Sequence, residues 1–131
     1  MTPFEITALY VALNLLLAIV LSLRVGLVRL KTKTSLGDGG DPALNARIRA
    51  HGNFIENAPF GLIGLFALAS LGASAWGLHL FGIMLTAGRL LHAQGMAAAG
   101  ALGKGRPVGT VLTLMTFLGQ ALALFWLAVF G

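Results

Sequence analysis

Arg49, Asn53 and Glu56 stand at positions i, i+4 and i+7 in the stretch "RIRAHGNFIENAPF", with apolar runs on both sides. On a helix this spacing puts all three on one face. Further along, Arg89 and His92 are spaced i, i+3 in "GRLLHAQGM". Arg29 closes an earlier apolar run. Guanidinium groups fork onto carboxylates. With only one carboxylate among them, Arg29, Arg49 and His92 remain without an anion of their own. That surplus of cations is chemistry for an acidic ligand.

These residues sit in an unusually apolar chain. It has 131 residues, of which 57% are hydrophobic and 10% charged, and its mean hydropathy is +0.89. A soluble domain carries about 25% charged residues. So little polar surface cannot cover a globule, and the chain belongs in a bilayer as one domain. The net charge is +5 and the pI about 10.9. Nucleic acid is not expected as the partner, because the cations form no stripe on a soluble face and the positive-inside rule explains most of them. The absence of cysteine excludes disulfides, thiolate metal sites and a cysteine nucleophile.

The pattern predicts an all-α membrane protein, a four-transmembrane-helix bundle over residues 1–131. The helices are expected at about 4–30, 43–72, 76–99 and 107–130. The first has Glu5 and no early cation, and it is too long for the core of a signal peptide, so it is expected to span. "GLIGLFALASL" alone is too short to cross a core of about 30 Å, so the second helix must include the polar stretch before it. Pro59 is expected to kink that helix, and Pro107 to open the fourth. Lys31, Lys33, Arg47 and Arg49 flank the first connection, and Lys104 and Arg106 lie in the third. The turn "GASAWG" is uncharged. Both basic loops are therefore expected in the cytoplasm and both termini on the other side. Gly61, Gly64, Gly82 and Gly88 are expected to allow close helix contact.

At a rise of 1.5 Å per residue, Glu56 lies roughly 15–20 Å in from Ala43, and Arg89 roughly 15 Å in from Ala99. Charges at one depth in a membrane should face inward and pair. A Glu56–Arg89 ion pair is therefore expected, either as a tie within the bundle or as part of a site. Arg24, Lys31, Lys33 and Arg47 are assigned to anionic lipid headgroups. His51 is read as an interfacial hydrogen-bonding group and His79 as an anchor near the outer end. Neither makes metal-ligand spacing with another histidine or a carboxylate, so no metal is expected. Thr110, Thr113 and Thr116 should bond back to their own helix, and Trp76 and Trp126 should lie in interfacial belts.

"RAHGNFIENAPF" at 49–60, "GRLLHAQGM" at 88–96 and "VRLK" at 28–31 resemble the motifs of the MAPEG family, the membrane-associated proteins in eicosanoid and glutathione metabolism. The four spans, the long first loop and the length agree, so the likeness covers the whole chain. The resemblance implies a homotrimer that binds glutathione as co-substrate between subunits, near the cytoplasmic face. It assigns glutathione contacts to Arg29, Arg49, Asn53, Glu56 and His92, and gives Arg89 as the partner of Glu56. Two departures stand out. Active members carry a tyrosine near the end of the third helix, where this chain has none. They also carry an arginine early in the fourth helix, where Gly109 stands here. Arg106 is then the candidate cation for the thiolate, unless it only marks topology.

The expected function is a glutathione-dependent membrane transferase or peroxidase of the microsomal glutathione transferase kind. It would act on hydrophobic electrophiles or lipid hydroperoxides. The alternative is a non-catalytic MAPEG-like protein that binds glutathione or lipid. A small transporter is a third reading, which four spans and one ion pair support weakly.

Overall fold

The structure, a computed structural model, describes residues 1–97 and 103–131, and the main chain only at residue 97. It holds four helices: α1 (Pro3–Thr32), α2 (Pro42–Ser70), α3 (Ala75–Ala97) and α4 (Gly105–Phe130). The expected end of the third helix at residue 99, and part of the Gly-rich connection after it, lie outside the described residues.

The helix ends follow from local chemistry. Thr2 accepts from the Glu5 backbone N–H while the Glu5 carboxylate accepts from that of Thr2, a capping box with Pro3 in the first turn. α1 ends on Lys33 in the left-handed region, φ 53°. Asp41 caps α2 by accepting from the N–H groups of Ala43 and Leu44, with Pro42 behind it. In the connecting loop Asp38 accepts from the Gly40 N–H and the Asn45 amide. These two bonds hold its carboxyl below the ordinary carboxylate range. α4 begins at Gly105, two residues before the expected start at Pro107, and its N-cap Lys104 makes no side-chain cap bond. Pro59 lies inside α2, which runs on as one helix.

Contacts fix the path of the chain. Phe4 of α1 meets Phe66 of α2, Asn53 of α2 meets Arg89 of α3, and Arg89 meets Thr113 of α4. Each helix therefore runs opposite to the one before it. α2 and α3 each pack on all the other helices, whereas α1 and α4 do not pack on one another among the described residues. One apolar core joins Ile6, Tyr10, Leu65, Leu68, Leu78 and Leu85. A second, nearer the basic end, joins Leu21, Phe54, Ala58 and Ala93.

The polarity is inside-out for a soluble protein. Leu15, Leu16, Ile19, Leu118, Leu122 and Phe125 are exposed, while Asn14, Arg89, Thr113, Thr116 and Gln120 are buried. α1 and α4 are each long and apolar enough to cross a membrane. The three threonines of α4 donate back to carbonyls four residues earlier, as expected. Trp76 and Trp126 are exposed.

The four glycines singled out by sequence are sites of close approach. A Cβ at Gly61 would press on Leu85, at Gly64 on Gln120, at Gly82 on the Tyr10 ring, and at Gly88 on Thr113 and the Gly109 carbonyl. The Tyr10 ring cannot easily swing away, because its hydroxyl bonds His79 Nδ1 at 2.9 Å. Gly82→Ala is expected to destabilise the fold by about 1–3 kcal/mol. Gly26→Ala, with nothing within 4 Å of its Cβ, is expected to be neutral or slightly stabilising. Thermal unfolding of the purified protein in detergent distinguishes the two.

Candidate functional site

α2 presents Arg49, Asn53 and Glu56 along one side, as their spacing requires. Arg49 and Glu56 are exposed and Asn53 is half-buried. Gly52 sits among them, and a Cβ there would meet only Glu56 Oε1, at 4.0 Å. Asn53 is the member of the stripe that turns inward, and the structure joins it to Arg89.

Arg89 is 2% exposed. Its Nε donates to Thr113 Oγ1 at 3.0 Å. Its Nη1 donates to Asn53 Oδ1 at 2.7 Å and to the Asn53 carbonyl at 3.4 Å. Asn57 Nδ2 reinforces that carbonyl at 2.8 Å. The expected Glu56–Arg89 ion pair is not formed within the chain. The two residues do share a depth, but Asn53 and Glu56 are three residues apart, about 60° around the helix. That angle turns the amide toward α3 and leaves the carboxylate on the open side. Arg89 thus ties α2, α3 and α4 through neutral acceptors, and Glu56 is left available.

His92 is buried one turn beyond Arg89 and packs against Gly109, where a Cβ would overlap the Gly88 carbonyl and the His92 backbone N. A side chain at 109 is thereby excluded, so no arginine could stand at this point of α4. Arg106 is exposed on the first turn of α4. Its backbone lies over Gly95, which has no room for a Cβ, and the Gly103 N–H donates to the Gly95 carbonyl at 3.1 Å. Close packing therefore pins Arg106 to α3 three residues beyond His92.

Arg29 is half-buried at the basic end of α1, where its Nη1 donates to the Thr34 carbonyl at 3.3 Å. It lines an open cleft of about 750 Å³ whose walls include Leu23, Leu27 and Leu30, with Lys33 at the basic rim. Among the described residues no three His, Cys, Asp or Glu side chains gather as a metal site.

The sequence reading missed three polar joints. Thr113 accepts from Arg89 besides bonding back to its own helix. Gln120 Nε2 donates to the Gly61 carbonyl at 3.0 Å, tying α4 to α2. At the end opposite the basic loops, Tyr10 bonds His79, and Asn14 Nδ2 donates to Thr86 Oγ1 and the Tyr10 carbonyl. The signal for the last was a match of depths: Tyr10 and His79 both lie within about two turns of a helix start at the same end.

The MAPEG family profile matches residues 7–126. This chain belongs to the MAPEG family. Among its relatives is the inner membrane protein YecN of Escherichia coli strain K12, 38% identical over 90 residues, which is 69% of either chain. YecN of Escherichia coli O6:H1 strain CFT073 matches to the same extent. With four helices, an apolar exterior and these relatives, this MAPEG chain is an integral membrane protein.

The new partners of Arg89 can be tested by stability. Thr113→Val leaves Arg89 Nε without its acceptor and is expected to cost about 1–3 kcal/mol. Glu56→Gln removes no contact within the chain and is expected to change stability by less than about 0.5 kcal/mol. Thermal unfolding in detergent measures both; a large loss for Glu56→Gln that disappears in an Arg89→Met background would put the carboxylate back on Arg89.

Proposed function

We propose that this MAPEG protein is a glutathione-dependent membrane transferase or peroxidase acting on hydrophobic electrophiles or lipid hydroperoxides. One observation carries the reading: α2 holds Arg49, Asn53 and Glu56 on a side that the chain's own helices leave open, while the one cation expected to neutralise Glu56 is satisfied elsewhere. An exposed carboxylate deep along a membrane helix, with a guanidinium about two turns nearer the basic end, is costly to leave facing lipid. A second copy of the chain covers them in this proposal, giving the homotrimer, with glutathione held at the junction.

The residues fit that molecule. Glutathione has two carboxylates, an ammonium and a thiol. Arg29 and Arg49 supply forks for carboxylates, Glu56 meets the ammonium, and Asn53 adds an amide. His92 and Arg106 lie together at the basic end, with Arg106 nearest to the role of thiolate partner. The basic end faces the cytoplasm by the positive-inside rule. The cleft beside Arg29, apolar on its walls, gives an electrophile a path from the bilayer. The sulfur then forms a bond to the electrophilic carbon as the leaving group departs with its electron pair. With a hydroperoxide, the thiolate attacks the terminal oxygen, the O–O bond breaks and the lipid leaves as its alkoxide, protonated to the alcohol; the thiol of a second glutathione then displaces water from the resulting sulfenic acid to give the disulfide.

The second reading is a non-catalytic member that binds glutathione or lipid. Two observations favour it. Gly109 leaves no room for the helix-four arginine, and the one tyrosine is held by His79 at the far end.

Stopped-flow measurement of thiolate absorbance separates the readings. A free thiol has a pKa of about 8.5 and each unit of lowering is about 1.4 kcal/mol of thiolate stabilisation. The enzyme reading predicts a thiolate signal on mixing glutathione with the protein at neutral pH. In Arg106→Ala the bound thiol's pKa should rise while affinity at low pH stays nearly intact. Saturable binding with no thiolate signal would support the non-catalytic reading instead.

A further inference from the structure

Chemistry fixes the direction of every proton in the Arg89 joint. A guanidinium only donates, and a threonine hydroxyl has one proton. Thr113 gives that proton to the Gly109 carbonyl at 2.8 Å, so it can offer Arg89 Nε only a lone pair. At the other end Nη1 meets the Asn53 side chain at 2.7 Å. Only the amide oxygen can accept there, so the choice between oxygen and nitrogen is not free. The oxygen faces inward. Nδ2 makes no hydrogen bond among the described residues and is not among the buried unpartnered atoms.

We infer that Arg89 is a positioning residue that holds the Asn53 amide oxygen-inward, so that the site meets its ligand at that point with a hydrogen-bond donor and selects a carboxylate or carbonyl there. The sequence alone allowed Asn53 both to donate and to accept; the joint leaves it only the donor side. From the basic end inward, the α2 stripe reads as donor at Arg49, donor at Asn53 and acceptor at Glu56. The stripe is thus matched to a molecule with its anionic or carbonyl groups toward the basic end and its cationic group deeper. This inference rests on the reading of the stripe as a glutathione site.

Asn53→Asp is the decisive substitution. It keeps the side chain's shape and gives Arg89 a charged acceptor, which strengthens the inward contact. It also replaces the outward donor by an oxygen that repels a carboxylate. In the purified, detergent-solubilised protein, Asn53→Asp is expected to melt at or above the wild-type temperature, and that advantage should disappear in an Arg89→Met background. Calorimetric titration with glutathione should show affinity weakened by about tenfold or more, the worth of one lost hydrogen bond with repulsion added. Arg89→Lys, which still donates, should retain more affinity than Arg89→Met. Wild-type affinity in Asn53→Asp would overturn the inference, and so would a melting temperature well below that of the wild type. If the wild-type protein binds no glutathione, the proposed function fails. The melting comparison then decides by itself whether Arg89 holds the amide oxygen inward.

Discussion

A guanidinium ion in the middle of an apolar bundle must be given acceptors, and the rest of this structure is arranged around that need. Burying an unpaired charge is far more costly than burying an apolar side chain. Arg89 meets the requirement with neutral oxygens on two neighbouring helices, Asn53 on α2 and Thr113 on α4. Those two bonds set the rotation of α2 and α4 about α3. Once α2 is turned so that Asn53 faces inward, Arg49 and Glu56 must emerge on the side that no helix of the same chain covers. The internal tie and the open polar stripe are two results of one placement.

Glycine makes the tie possible. α3 and α4 approach closely where Gly88 faces Gly109 and where Gly95 faces the backbone of Arg106. That approach brings Thr113 within reach of Arg89, and it removes space for any side chain at 109. Arg106 is carried instead on the turn just before, beside His92. At the opposite end Gly82 accommodates Tyr10, whose hydroxyl reaches His79. The polar joints thus lie at different levels of the bundle: Arg89 toward the basic end, Gln120 with the Gly61 carbonyl beside Leu85, and Tyr10 with His79 toward the other end.

Much of this was legible in the sequence. Apolar runs and breakers marked four helices, and the i, i+4, i+7 spacing placed Arg49, Asn53 and Glu56 on one stripe. The motifs at 49–60 and 88–96 carried the family. The partner of Arg89 was not legible, because a sequence gives the depth of a residue along a helix more readily than its direction around it. Glu56 and Asn53 differ by less than one turn in depth, about 4.5 Å, and the charge on Glu56 made it the natural choice. Thr113 was read only as bonding back to its own helix, which it does; its remaining lone pair gave no sign of a second role. The exclusion at Gly109 depends on distances between helices, which no local pattern encodes. Tyr10 and His79 are far apart in the chain and needed the fold to bring them together.

A wet, ligand-holding stripe on α2 and one turned to lipid differ in what can reach them from water. The chain has no cysteine, so single cysteines can report on it. Gly52 lies within the stripe and Met115 is exposed on apolar α4; each is about 15 Å from the basic start of its helix. In membranes, Gly52→Cys is predicted to react with a charged, membrane-impermeant thiol reagent and to be protected by S-methylglutathione, while Met115→Cys stays unlabelled. An unlabelled Gly52→Cys would mean that the stripe faces lipid, and labelling that S-methylglutathione does not slow would mean that no glutathione binds there.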